Sequence, residues 1–504
     1  MMIEHDAPIL ILGSGFAGSL CALLLGRIGL RSVMVDRAAH PRFAIGESST
    51  PTTDRVLADL AHRYDLPRIA PLARYGPWKR TYPEIPCGPK RGFSYFSQPP
   101  GERFRPGVAH ANELLVAASS DDESADTHWF RAEVDRFFAD EAVQAGAVLL
   151  DRTEIAVIQQ NGGWTLTGER LGESVRVRGE FVLDATGDGA VLPRTLGIEN
   201  RVDRLRTNSR GLFSHFANLP RWHDVLTAKG VAVEDHPFCC DRAALHHVTD
   251  IAWMWVLRFD HGITSAGFAI DGRACPLDER VSPDDEWQAL LAAYPGVAEQ
   301  FTGSDIAHVP GRMIRTRRMQ RRLARAVGDG WALLPHTAGF IDPLYSTGIA
   351  HSLCGIERLI RIFEEHWGRS TLRAALGEYE SALFTELELV DRIVHCGYLG
   401  FADFRAFAAA SMLYFAGATT YERQRAAEGE AFRGGFLCAH RDEFRAAVYS
   451  LHERLEQQAR GGRLAPGDAA DFEQAVAREM APFNMAGLCD PGCQNMYAYT
   501  VKPL

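Results

Sequence analysis

At 504 residues the chain is too long for one minimal domain, and its 46% apolar and 23% charged residues are ordinary for a globular protein. A formal net charge of −10 without a compensating basic block excludes a general nucleic-acid binder and points to a small substrate rather than a polyanion. No apolar run reaches the roughly 18 residues of a membrane span. Acidic Glu4 and Asp6 precede the first apolar stretch, so no signal-peptide pattern is read and a cytoplasmic protein is expected.

Residues 7–12 form a continuous apolar run that ends in glycines, the pattern of a buried parallel strand. A small-residue-rich helix over 16–25 and a second strand over 31–35, closing at Asp36, complete a βαβ opening. Residues 43–105, rich in Pro, Gly and aromatics, read as loops and short strands, and 119–126 as a polar acidic loop. Helical periodicity over 128–145 puts Phe130, Val134, Phe137 and Phe138 on one face. Strands are expected at 147–150, 164–166, 175–177 and 181–183, punctuated by Gly162, Gly163, Gly168 and Gly172. Residues 205–275 are rich in β-formers, 332–334 read as another buried strand, and 348–480 as mostly helices. The ten cysteines are scattered. Neither the Cys239-Cys240 pair nor the lone Cys489/Cys493 spacing matches a zinc site, so reduced thiols and no metal are expected.

The first chemical motif is Gly13-Ser14-Gly15-Phe16-Ala17-Gly18. Its first glycine permits a tight strand-to-helix turn, its second lets backbone approach a pyrophosphate, and its third lets helix pack on strand. The helix start then stabilises the anion, and Asp36 at the end of the second strand can accept from ribose hydroxyls. The alternative is a purely structural glycine turn. A second buried strand runs into Asp184-Ala185-Thr186-Gly187. This turn resembles the second dinucleotide-contacting turn of two-domain FAD oxidoreductases, against the plainer reading of a strand and a Gly-rich turn. No second G-x-G-x-x-G occurs, so reducing equivalents are expected from a separate flavin reductase or from transient NAD(P)H.

Four further segments carry a family resemblance. Pro41-Arg42-Phe43 followed by Gly46-Glu47-Ser48 looks like a flavin-edge loop. Lys90 stands just before Gly92-Phe93-Ser94. Trp253 and Trp255 lie in an A-W-x-W-x-L-R stretch, where Trp253, Trp255 and Leu257 would share one strand face. Gly339-Phe340-Ile341-Asp342-Pro343-Leu344-Tyr345-Ser346-Thr347-Gly348-Ile349 is similar to a G-F-x-(D/E)-P-L-x-S-x-G segment. Together, over most of the first 370 residues, these resemble the flavin-dependent halogenase family, nearest the branch acting on free phenols.

The resemblance implies an α/β fold: an FAD-binding, doubly wound Rossmann-like domain, an interleaved β-rich substrate domain and a helical C-terminal region. Residues 1–370 would hold the FAD lobe interleaved with a substrate lobe at about 75–125 and 200–310, with helices over 371–504. It implies FAD, used as FADH2, held by the first glycine motif, Asp36, Arg42, Glu47, Ser48, Arg131, Gly187, His336, Asp342 and Ile349. For Arg131 the alternative is an i,i+4 pair with Asp135. A halide (chloride, bromide or iodide) would sit at the Thr347 and Gly348 amides, where a helix start offers unpaired N–H groups. Lys90 would receive hypohalous acid, its ammonium hydrogen-bonding the acid or its amine forming a haloamine. Phe93, Trp253, Trp255 and Tyr345 would face a small aromatic substrate in a monomer or homodimer. Tyr345 stands where tryptophan-halogenating members carry a glutamate, which points to a phenol activated by its own oxygen. Ala252 and Arg258 replace a signature glycine and proline, and keep two alternatives open: a flavin monooxygenase or dehydrogenase on the same scaffold, and a flavin-binding or carrier-docking protein without turnover.

Overall fold

The apolar run Ile9–Leu12 is wholly buried at the centre of a six-stranded sheet. The order is Val327–Gly328, Trp331–Leu333, Phe181–Asp184, Ile9–Leu12, Ser32–Val35, Val148–Leu150, parallel except for the Val327–Gly328 edge. A parallel sheet needs cover on both faces, which is why these strands carry continuous apolar runs rather than alternation. Helix Phe16–Arg27 packs on Arg131–Gln144 and on Thr347–His366. The structure is a computed structural model and describes residues 2–462 and 464–500. The α/β class and the strands expected at 7–12, 31–35, 147–150, 181–183 and 332–334 agree with this sheet.

A second, nine-stranded sheet carries Ser209–Ala217, Ile263–Asp271, Ala252–Arg258, Ala244–Val248, Gly92–Ser97 and Glu113–Ala117 side by side. Period-2 alternation divides its side chains between two cores. Phe93, Tyr95, Trp253, Trp255 and Leu257 join the main core shared with the six-stranded sheet. Phe96, Met254 and Val256 point the other way, into a smaller core with Trp222 and Phe268.

Two regions differ from the sequence reading. Residues 43–105 are not only loops and strands: they hold helices Pro51–Arg63 and Tyr75–Thr81. Pro51 starts its helix instead of breaking one, because the first turn needs no N–H donor there, and Thr50 and Thr53 form a reciprocal capping box. Strands Met2–Asp6 and Thr153–Gln160 belong to a separate four-stranded sheet. Their side chains are largely exposed, so no apolar run announced them.

The C-terminal part is helical as expected, with Leu372–Leu399, Phe404–Glu428, Asp442–Gln458 and Asp468–Met480. Phe404–Glu428 is buried on nearly every face from Phe404 to Tyr421, being packed against Leu372–Leu399, Asp468–Met480 and Pro51–Arg63. Among the described residues no helix is long and apolar enough to cross a membrane.

The strand Cys87–Lys90 pairs antiparallel with Asp126–Trp129, setting Lys90 opposite Asp126. This strand pair lies against the end of the Trp253 strand so tightly that a Cβ on Gly88 would fall 1.8 Å from the Arg258 carbonyl oxygen. Backbone cannot yield as a side-chain tip can. Gly88→Ala is therefore expected to cost about 2–3 kcal/mol and to lower the thermal midpoint by several degrees. A melt within 1 °C of the parent, or about a tenth of that cost, would show that the contact is slack.

Candidate active site

At the first glycine turn, Gly13 adopts φ +94°, and a Cβ there would press on the Ala185 carbonyl at 2.9 Å. A Cβ on Gly18 would lie 2.1 Å from the Gly13 oxygen, so both glycines are needed for the close approach of strand, turn and helix. Helix Phe16–Arg27, with Ala17 buried in its first turn, starts without a side-chain cap and without an acidic residue there. Its leading N–H groups are thus free for an anion. Asp36 accepts from the Ser14 amide at 2.8 Å and the Ser14 hydroxyl at 2.9 Å, and pairs with Arg42 at 2.7 Å. Burial opposes its charge, but Arg42 and the Ala38 and Ser14 amides outweigh burial and hold it below the usual carboxylate range. His40, unread in the sequence, touches Ser14 Oγ at 2.9 Å. A glycine cradle, an uncapped helix start and an ionised acid at the next strand end fit the dinucleotide of FAD.

Between the two glycine turns lies His336. Its Nε2 donates to the Ala185 carbonyl at 3.1 Å, its ring stacks on Phe16, and the Gly187 Cβ position is 3.3 Å from it. Burial brings its pKa down to about 4, so the ring is neutral. Arg131 satisfies both readings of its sequence position in part. It forms the i,i+4 pair with Asp135 at 2.8 Å, and its guanidinium also lies over the Phe16 ring and donates to the Ile45 and Gly46 carbonyls.

At the second end, Ser346 turns the chain at φ +54° and starts helix Thr347–His366, again with no side-chain cap and no acid in the first turn. Thr347 and Gly348 line a cavity of about 30 Å³ together with His336, Gly339 and Asp342, while Ile349 is buried behind them. A Cβ on Gly348 would meet nothing within 4 Å. Gly348→Ala is therefore expected to melt within about 1 °C of the parent, and, with halide held at these amides as the resemblance implies, to raise the KM for halide. Unchanged halide dependence would move the halide away from this turn.

Asp342 and Glu47 both hydrogen-bond side chains of strand Ser209–Ala217 in the nine-stranded sheet. Asp342 accepts from Ser209 Oγ at 2.6 Å and Tyr398 OH at 2.8 Å, and Tyr398 in turn accepts from Trp253 Nε1 at 3.2 Å. Burial raises Asp342 to about 6. Glu47 pairs with His215 at 2.8 Å. Beside it, Ser48 Oγ is 3.0 Å from Ser346 Oγ, and the next carbonyl, that of Ser49, accepts from Lys90 Nζ. One short segment thus touches both the helix start and the lysine.

Lys90 is completely enclosed, with Nζ 4.0 Å from the centroid of Phe93. From Phe93 a network of aromatic rings leads away. Phe93 stacks parallel to Tyr95, Tyr95 on His246 at 4.5 Å, and Tyr345 on Tyr414 at 4.9 Å and 7°. His246 meets Trp253, and Trp253 meets Trp255 at 5.8 Å. Burial brings the Lys90 pKa down to about 8, with Asp126, Asp54 and Glu422 only partly restoring its charge. Burial likewise raises Asp126 to about 6, Lys90 and a hydrogen bond from Asp54 pulling the other way. Glu422, raised by burial to about 8, accepts from Thr52 Oγ1 at 2.8 Å. One Asp126 oxygen, Oδ2, is buried with no hydrogen-bond partner among the described residues.

Asp54, Asp126, Glu422 and Tyr414 escaped the sequence reading. The usable signal was Glu422, the first acid after the long apolar stretch of that helix, Phe404–Glu428.

The profile of the tryptophan halogenase family matches residues 124–400. The chain belongs to this family. Along its length it is 26% identical to monodechloroaminopyrrolnitrin halogenase PrnC of Pseudomonas fluorescens, covering 99% of this chain and 91% of that protein. It is 28% identical to tetracycline 7-halogenase of Kitasatospora aureofaciens over 81% and 74% of the two chains. In fold it matches the crystal structure of halogenase PltM in complex with phloroglucinol and FAD, with a TM-score of 0.86, 24% identity, and 98% and 100% of the chains covered. The protein is a flavin-dependent halogenase that uses FAD and halide to halogenate an aromatic ring. Arg258, in the place where the resemblance expects a proline, pairs with Asp241 at 2.8 Å and donates to the Leu219 and Pro220 carbonyls. It anchors the strand end where a proline would otherwise stop pairing, and Trp253 and Trp255 still share one face of that strand.

Proposed function

We propose that this halogenase acts on a small, free phenolic substrate, through an electrophilic halogen carried by the Lys90 nitrogen. The observation that carries the reading is a fully buried lysine against the Phe93 ring, joined to the Thr347 helix start through residues 48–49. The rings of Phe93, Tyr95, Tyr345 and Tyr414 next to Lys90 suit a flat aromatic guest, and the burial of the lysine suits a free molecule better than one tethered to a carrier. Tyr345 in place of an acid suits a phenol, and PltM, of like fold, has been crystallised with phloroglucinol. A separate flavin reductase would supply reduced cofactor.

When bound in reduced form, FAD supplies the oxygen activation that converts halide to hypohalous acid. Thr347 and Gly348 amides hold the halide, and the helix start stabilises its charge. The burial of Lys90 excludes water, which would otherwise disperse the acid. At a pKa of about 8, roughly a tenth of Lys90 is free amine at neutral pH. The amine attacks hypohalous acid, an N–X bond forms, and water leaves. The ring then attacks X, the N–X electron pair returns to nitrogen, and Asp126 takes the ring proton. Its pKa of about 6 leaves it ionised yet basic enough for the task.

The test is a product mass spectrum from enzyme, FAD, a flavin reductase, bromide or chloride, and matched panels of free phenols, indoles and carrier-bound acids. Halogenated free phenols are expected. Turnover confined to indoles or to carrier-bound substrates would overturn the substrate reading.

A further inference from the structure

On the side of the substrate sheet opposite Phe93 and Tyr95, three side chains that halogenation does not use converge. Glu113 opens the strand Glu113–Ala117 and pairs in register with Phe96, whose ring joins the second core and lies beside His236. Glu113 Oε2 is 2.7 Å from His110 Nδ1 and 3.6 Å from His236 Nε2. One ligand atom from each of the three lies within 4.8 Å of the others. The Glu113 and His236 side chains are each only 1% exposed, and that of His110 is 19% exposed. The group is under-satisfied by protein alone: both ring nitrogens of His236 and Oε1 of Glu113 are buried without a hydrogen-bond partner among the described residues. Groups of this kind are costly to bury unless something binds them.

We propose that His110, Glu113 and His236 form a binding site for a divalent first-row metal ion, zinc foremost. Two imidazoles and one carboxylate are a nitrogen-rich donor set of the type zinc takes at about 2.0–2.2 Å. Calcium and magnesium, which want six or more oxygens, do not fit it. Atoms in hydrogen-bond contact need to separate only by several tenths of an ångström to accept such an ion. The half-buried His110 leaves a route in and a fourth position for water. Bound metal would tie the segment before Glu113 to the turn Val233–Asp235, distant in sequence, at the back of the strand pair that carries Phe93. The role is that of a staple behind that strand pair. Scattered cysteines gave no hint of it, because the ligands are two histidines and a glutamate spread along the chain.

A second cluster, His395, His452 and Glu456, provides an internal control. There the two rings hydrogen-bond each other at 2.9 Å, and Arg273, Arg392 and Arg206 crowd the same groups, which repels a cation.

The experiment uses untagged, FAD-loaded full-length enzyme, stripped with a chelator and titrated with cobalt(II), then with zinc. One equivalent of cobalt is expected to give visible d–d bands of low-coordinate cobalt that zinc abolishes, and zinc is expected to raise the thermal midpoint. His110→Ala, the most exposed ligand and the least disruptive change, should lose the bands while keeping its FAD content. His452→Ala should keep them. Absence of a stoichiometric band in the parent, its persistence in His110→Ala, or its loss in His452→Ala would each overturn the site.

Discussion

Lys90→Met is expected to bind FAD as the parent does and to lose halogenation of the aromatic substrate by about a thousandfold or more. Met fills a similar volume and keeps the contact with Phe93, but carries no nitrogen to hold the halogen. Loss of fold does not explain this outcome. The folded pKa of Lys90, about 8, lies below its ordinary 10.5. Its burial therefore weighs against folding at neutral pH, and that cost is relieved only as pH rises from about 8 towards 10.5. Removing the ammonium leaves the thermal midpoint unchanged or higher, so a melt separates chemistry from stability. Oxidation of halide should continue, and a diffusible trap for hypohalous acid should collect what Lys90 no longer captures. A variant that still halogenates the ring at a tenth of the parent rate or better would show that hypohalous acid reaches the substrate unaided.

The second large effect is expected at Asp126. Asp126→Asn should slow halogenation about a hundredfold at neutral pH while leaving release of trapped hypohalous acid intact. The parent gives the sign of the pH dependence. Asp126 must be ionised to take the ring proton, so single-turnover rates should rise with pH through about 6. Lys90 must be free amine to form the N–X bond, so the rise should continue to about 8 and then level. If the ammonium acted instead, the rate would fall above about 8. In Asp126→Asn the lower inflection should vanish. Stopped single-turnover assays between pH 5 and about 9.5 read both limbs and distinguish the two forms of lysine.

Most of what was legible in the sequence was local. Gly13 to Gly18 announced itself because strand, turn, helix and Asp36 lie within one βαβ unit. Trp253, Trp255 and Leu257 share a face because a strand alternates, and the Thr347–Gly348 helix start was read from the segment's resemblance to the family pattern. The helices of 51–63 and 75–81 were hidden by prolines and aromatics that suggest loops, although Pro51 is used at the one helical position that welcomes it. What brings Asp54, Asp126, Glu422 and Tyr414 to Lys90 is tertiary packing between an inner strand pair and a C-terminal helix, and no local pattern encodes that meeting. For the same reason a lysine in a Pro- and Gly-rich stretch gave no sign of being fully enclosed, and the pKa that follows from enclosure was equally hidden.

The account stands on halogen passing from the Thr347–Gly348 turn to one lysine nitrogen. Its most direct test is a single turnover with bromide and no aromatic substrate, quenched at once and read by intact-protein mass spectrometry with peptide mapping. One bromine on Lys90, seen as the isotope doublet and absent from Lys90→Met, is the expected result. Bromine found only on other residues, or trapped free acid with Lys90 unmodified, would contradict it.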